Sequence, residues 1–293
     1  MASVPVHHGE ILQGVFLHGQ RLVRGLVTLP CAMYHQRATF TPGGRDPVEV
    51  VPHWKYKARA AAELTLLTLD LPRGGWLELC GAVPLGRGFG SSTSDVLAAI
   101  NAVGDAYEVP VPLQTAAKIA VRAELASDSL MFDDGAVLFA QRVGEVLEDF
   151  GNRLPPMRVL GFGNRTATNG NGNGVDTLAL PPARYDQREI GIFTELRVML
   201  REAIATKDVT LLGCVATAST RLNQRHLPIP AFERILGIVA EIGAAGIQTA
   251  HSGNIAGILL DWNHPDVDAR LERARHLLRD IGIVEQWEFT TDD

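Results

Sequence analysis

The stretch Pro84-Leu85-Gly86-Arg87-Gly88-Phe89-Gly90-Ser91-Ser92-Thr93-Ser94-Asp95 holds the densest set of residues in this chain that can do chemistry. Glycine at alternate positions 86, 88 and 90 clears side chains from one side of a loop, so backbone N–H groups can close around a phosphate. Ser91, Ser92 and Thr93 add hydroxyls where a helix can start, and Val96, Leu97, Ile100 and Val103 follow at helical spacing. Free N–H groups, a helix N-terminus and hydroxyls together suit a polyphosphate and its metal ion. The stretch is not a Walker A loop, because no Gly-Lys-Ser/Thr follows at that spacing. It does not suit a dinucleotide fold either, since bulky Pro84-Leu85 precedes it and no acidic strand end follows at a suitable distance. The plain alternative is a glycine-rich turn capping an ordinary helix; paired serines after three alternating glycines favour the phosphate.

Other polar groups stand out against their surroundings. Glu10 and Gln13 interrupt an otherwise apolar strand-turn segment, and a buried Glu10 needs a partner, either a substrate ammonium or a backbone N–H. His251, Ser252, Gly253 and Asn254 form a tight polar turn between apolar strand segments. Asn223 and Gln224 carry amides suited to a carboxylate or ammonium group, or equally to capping a helix C-terminus.

The elements that position these residues follow from periodicity. Short alternating runs over the first forty residues, split by glycines, predict antiparallel strands. Helices are predicted at 57–69, 95–106 and 113–125, with a strand at 76–84 leading into the phosphate loop and a strand pair at 136–139 and 145–147. Gly151 to Pro156 clusters Gly, Asn and a Pro-Pro pair, which places a lobe boundary there and divides the chain into 1–152 and 153–293. The second half opens with a strand at 158–161. The run Asn164 to Gly174 cannot pack a core, and reads as a mobile loop, open between a slack surface turn and a lid over the substrate. Helices at 190–206, 207–224 and 231–245, a strand at 246–261 and a helix at 265–281 complete the pattern.

Composition excludes several classes. A chain of 293 residues with 46% hydrophobic and 20% charged residues can bury a sizeable core. The net charge of −6, with no basic run, argues against nucleic-acid or membrane-surface partners. Cys31, Cys80 and Cys214 lack CxxC spacing, so neither a disulfide framework nor a zinc site is expected, which fits a reducing cytoplasm. No signal region or membrane-length apolar run is present.

The phosphate loop resembles the second motif of the GHMP kinases (galactokinase, homoserine kinase, mevalonate kinase and phosphomevalonate kinase). Its Ser91-Ser92-Thr93-Ser94-Asp95 ending is most similar to the L-threonine kinases of cobalamin side-chain synthesis. His8 to Gly14 (HGEILQG), Leu26 to Pro30, Val175 to Ala179, Leu222 to Pro230 and Ala250 to Asp261 resemble segments of the same branch, in the same order, from residue 8 to residue 261.

The resemblance implies an α+β, two-lobed fold with a left-handed crossover, a ribosomal-protein-like N-terminal lobe and a ferredoxin-like α/β C-terminal lobe. It implies a kinase using ATP and Mg²⁺ on the side-chain hydroxyl of L-threonine or a closely related hydroxy amino acid. On this reading Gly86, Gly88, Phe89, Gly90, Ser91, Ser92, Thr93 and Lys57 bind the nucleotide, and Ser92 and Glu124 hold the metal. Asp128, with Ser92, is catalytic, and accepts or orients the proton of the attacking hydroxyl; Asp133 and Asp134 are rivals that read as a turn. Glu10, Gln13, His8, Asp176, Asn223, His251, Ser252 and Asn254 line the substrate pocket. The pattern departs in three places: His8 replaces a cysteine, no lysine lies near it, and one extra residue separates Glu124 from Asp128. These departures leave open another hydroxylated acceptor in a specialised pathway; an inactive ligand sensor is the reading from a different class. The oligomeric state is open, a homodimer among the options.

Overall fold

The computed structural model describes residues 1–43, 46–84, 88–163, 183–226, 228–251 and 255–291. It opens with a long antiparallel hairpin, β1 (Ala2–His18) and β2 (Arg21–Pro42), reversed at Gly19 with φ 59°. There follow β3 (Glu49–Val51), α1 (Tyr56–Thr68), β4 (Gly75–Cys80), α2 (Ser91–Tyr107), α3 (Leu113–Glu124), β5 (Val137–Ala140) and β6 (Glu145–Asp149). The second half runs β7 (Met157–Gly163), α4 (Gln187–Thr206), α5 (Val209–Asn223), α6 (Phe232–Glu241), β8 (Gly246–Thr249), β9 (Ile255–Asp261), α7 (Val267–Asp280) and β10 (Gln286–Thr290).

The strands form one sheet in the order β10-β7-β9-β8-β1-β2-β4-β3, with β5 pairing β2 and β6. Residue 152 lies between β6 and β7, yet the sheet is continuous in space, because β1 meets β8 at Glu10 and Thr249. The stretch 246–261, expected as one strand, is a hairpin in which Thr249 pairs with Ala256; the polar segment at His251 separates its arms. Two strands were not legible. β3 is three residues long, and β10 is an edge strand whose Gln, Glu and Thr dilute any apolar alternation.

Three apolar clusters hold this sheet. Leu66, Leu97, Ile100, Ile119 and Leu77 bring α1, α2 and α3 onto the β2–β4 face. Across β7 and β9 successive side chains point to opposite faces, as strand geometry requires. Val159 and Leu259 join Phe193, Leu200 and Leu212 of α4 and α5, whereas Leu160 and Ile258 join Ile235, Leu271 and Leu278 of α6 and α7. Strands buried on both faces read as continuous apolar runs, which is what ILLD in β9 shows. Among the described residues no helix is long and apolar enough to cross a membrane.

Candidate functional site

A cavity of about 360 Å³ opens beside the N-terminus of α2, bounded by β1, β2, the end of α3, the turn after β5, the segment before α4 and the end of α5. Gly90 precedes α2 with φ 65°, a left-handed conformation that favours glycine. A Cβ there would also collide with the His7 ring. Ser94 N–H is the first in the helix to reach back to Gly90 O, at 3.2 Å, so the N–H groups of Ser91, Ser92 and Thr93 have no helical acceptor.

Hydroxyls and carboxylates converge on this helix start. Ser92 Oγ donates to Glu124 Oε2 at 2.7 Å, and Lys57 Nζ donates to Ser92 Oγ at 3.2 Å. Thr93 Oγ1 lies 2.8 Å from Glu124 Oε1 and 3.2 Å from Asp128 Oδ2, and its single proton serves one of them at a time. Glu124 ends α3 and is buried; desolvation pushes its carboxyl up to about 7, helped by Asp128 and opposed by Ser92, Thr93 and Lys57. Lys55 and Asp95, in a buried ion pair, tie the start of α1 to α2.

Asp128 stands at the centre of a second group. His7 Nε2 lies 2.8 Å from Asp128 Oδ2, a close polar contact not aligned as a straight hydrogen bond. His7 Nδ1 accepts the Gly9 N–H at 3.0 Å, which fixes the tautomer with its proton on Nε2. His251 Nδ1 lies 2.8 Å from Glu10 Oε1 and 3.8 Å from Asp128 Oδ1, and its ring stacks on His7 with centroids 6.0 Å apart. Burial raises the Asp128 carboxyl, but the adjacent His7 ring, with its proton turned to Asp128, and the charge of His251 outweigh it and hold Asp128 below the usual carboxylate range. Burial likewise opposes protonation of His251. Glu10 and Asp128 overcome it and push His251 up to about 10, with about a third of its side chain open to the cavity.

Of the residues expected from sequence, Lys57, Gly90, Ser92, Thr93, Glu124, Asp128, Gln13, Asn223 and His251 line this one cavity. Glu10 joins them through His251, and Gly88 takes φ 90° in the loop. Ser91 opens α2 without lining the cavity. Gly86, Asp176, Ser252 and Asn254, with the run 164–174, lie outside the described residues. Asp133 lines a separate cavity of about 250 Å³, and Asp134 is exposed near Arg153.

Three expectations need correction. His8 is buried on the other side of the strand, held by Gln248 and by the indole N–H of Trp287 at 3.0 Å, and burial lowers its pKa to about 3. The cause is a register shift of β1 between His7 and Glu10, with Gly9 at φ 82°, which breaks the two-residue alternation. His7 therefore shares the face of Glu10, and His8 does not. Phe89 packs its ring against His8, Tyr34 and Trp287 in the core, and meets the site only through its carbonyl, which accepts His7 N–H at 3.3 Å. The Asn223 amide is committed to Gln13 O, Ser219 O and the Tyr185 hydroxyl, so it braces the wall.

Sequence reading also missed the part of the cavity wall built from Arg24, Arg142, Tyr185 and Arg225. Tyr185 immediately precedes a capping box in which Asp186 and Glu189 close the N-terminus of α4. Glu189 also takes Arg225 at 2.6 Å. That capping signal, Asp-x-x-Glu before an apolar run, was the one available pointer to this wall.

The N-terminal domain model of the GHMP kinases matches residues 56–139, from α1 to β5. The L-threonine kinase of Salmonella typhimurium is 27% identical over 283 residues, covering 93% of this chain and 86% of that protein. The 4-diphosphocytidyl-2-C-methyl-D-erythritol kinase of Chlorobaculum tepidum is 34% identical over 219 residues, 72% of this chain and 69% of that protein. The structure of Streptococcus pneumoniae phosphomevalonate kinase, in complex with phosphomevalonate and AMPPNP, shares the fold with a TM-score of 0.68 at 15% identity, covering 99% of this chain and all of that one. Matched along most of its length, the chain belongs to the GHMP kinases.

Proposed function

We propose that this protein transfers the γ-phosphoryl group of ATP to the side-chain hydroxyl of L-threonine or a closely related hydroxy amino acid. The observation that carries the reading is the convergence of Ser92, Glu124, Thr93 and Asp128 at one helix N-terminus, in one cavity. The N–H groups of Ser91, Ser92 and Thr93, which have no helical acceptor, would hold phosphate oxygens, and Lys57 would add its charge. Ser92 Oγ and Glu124 Oε2, two hard oxygen donors 2.7 Å apart, fit Mg²⁺. Bound there, the ion would neutralise charge on the triphosphate.

Asp128 would orient the acceptor hydroxyl and take its proton as the oxygen bonds to phosphorus and the bond to ADP breaks. Thr93 and His7 hold its Oδ2, so Oδ1 is the oxygen left for the hydroxyl. A carboxylate held below its usual range is a weak base, which suits a loose transition state in which the proton leaves late. Gln13, Glu10 and His251 are proposed as acceptor contacts.

The likeness to an L-threonine kinase over 93% of the chain supports this acceptor. A second reading keeps the chemistry and changes the acceptor to another hydroxylated metabolite; the 34% identity to a kinase named for an erythritol derivative favours it. ADP release measured across a panel of hydroxy amino acids and polyols separates the two. L-Threonine should give the highest kcat/KM, and Ser92→Ala should lose about tenfold or more at limiting Mg²⁺. A polyol preferred over every amino acid would transfer the reading to the second acceptor class; no ADP release with any acceptor would favour an inactive sensor.

A further inference from the structure

The cavity is electrically two-ended. At the α2 end sit Glu124 and Asp128, each already held by hydroxyls or imidazoles. At the other end sit Arg24 and Arg142. Arg24 lies on β2 opposite Val15. β2 pairs with β5 at Leu26 and Phe139, which brings Arg24, two residues away on β2, near Arg142 in the turn after β5. Both residues line the cavity.

Neither has a carboxylate partner among the described residues; Arg24 donates only to Ala183 O, at 2.8 Å. Elsewhere Arg158, Arg197, Arg201, Arg221, Arg273 and Arg275 each meet an acid. The nearby carboxylates are committed, Glu189 to Arg225 and Glu148 to Arg197 and Arg201. Two like charges side by side in a concave wall repel unless an anion joins them. Burial, and then Arg142, lower the pKa of Arg24, as that repulsion requires. Planar guanidiniums match the oxygens of carboxylate or phosphate in two-point contacts.

We propose that Arg24 and Arg142 form a subsite for an oxyanion group of the acceptor. The acceptor class is then a hydroxylated acid whose hydroxyl reaches Asp128 while its carboxylate or phosphate lies between the two guanidiniums. This rests on the reading that the α2 end takes the hydroxyl. It adds that among the described residues the far end offers no uncommitted acid to an ammonium, so the acceptor's anionic group, and not an amine, is what that wall selects.

The test compares the whole protein with Arg24→Gln, Arg142→Gln, Arg142→Lys and the double glutamine variant. Turnover is measured with L-threonine, L-threoninamide and glycerol 3-phosphate. Binding of L-threonine and of inorganic phosphate is measured by calorimetry, with a non-hydrolysable ATP analogue filling the phosphate loop. For a carboxylate acceptor, each glutamine variant should raise KM for L-threonine roughly tenfold or more with kcat little changed. L-Threoninamide should be poor for the parent and lose nothing further in the variants, and Arg142→Lys should recover part of the loss. For a phosphate acceptor, glycerol 3-phosphate should show the same dependence.

If L-threonine is not phosphorylated but inorganic phosphate binding still needs the two arginines, the proposed amino-acid acceptor fails and the subsite stands. If every anion binds and reacts alike in the parent and the double variant, the subsite is overturned. The glutamine variants should fold: Arg142 is exposed, and removing one of two like charges should leave the melting temperature equal or higher.

Discussion

Asp128 is distinguished from its rivals by what touches it. Thr93, His7 and His251 surround it, whereas Asp133 faces a different cavity and Asp134 faces solvent. A positioned carboxylate acting on the attacking hydroxyl typically contributes ~10²–10⁴-fold. Asp128→Asn is therefore expected to lower kcat about a hundredfold, with ATP affinity nearly unchanged. Asp133→Asn should cost less than about fivefold. Steady-state kinetics with calorimetry of ATP binding checks both, and the reverse ranking would show that a different carboxylate acts. His7 enters at this scale as a positioning residue, since it holds Asp128 Oδ2 and has its own tautomer fixed by Gly9.

Helix α2 and strand β1 meet where Gly90 faces His7, and neither element can shift alone. An alanine at position 90 would keep a left-handed backbone, costing roughly 1–2 kcal/mol, and would push its methyl group into a fully buried ring. Gly90→Ala should lower the melting temperature and reduce turnover more than tenfold. Adding His7→Ala should restore much of the melting temperature but not the turnover. A fully active Gly90→Ala protein would remove His7 from the account of the site.

The same junction shows what sequence could reveal. The helices were legible because their apolar spacing is regular, and so was the start of α2 after Gly90, because its glycine and hydroxyls are contiguous. That His7 and not His8 shares the face of Glu10 was not, because alternation places His8 there until a bulge at Gly9 reverses the face. The arginine wall was not legible either: Arg24 and Arg142 meet through the pairing of β2 with β5, and nothing local marks either of them.

Over the whole molecule, two histidines of opposite character flank the seam where β1 meets β8. His8 is buried neutral, with a folded pKa of about 3 against an ordinary 6.5. Its contribution is fully present above pH 6.5 and is lost as pH falls towards 3, because only the unfolded chain accepts the proton freely. His251 runs the other way, with a folded pKa of about 10 against 6.5. Its contribution is fully present below pH 6.5 and is lost as pH rises through 10, because the folded state holds a proton that the unfolded state releases. Together they predict a dome whose alkaline flank follows His251 and whose acid flank follows His8 only below about pH 4.5. Above that point Glu124, raised to about 7 from an ordinary 4.5, takes up a proton in the folded state and offsets His8. Thermal melts from about pH 3 to 10 should show that dome in the parent protein. His8→Gln should flatten the acid flank while the alkaline flank stays in place, and His251→Gln should do the opposite. An acid flank unchanged by His8→Gln would mean that protons enter through the carboxylates, and would separate the seam from the acid sensitivity of the fold.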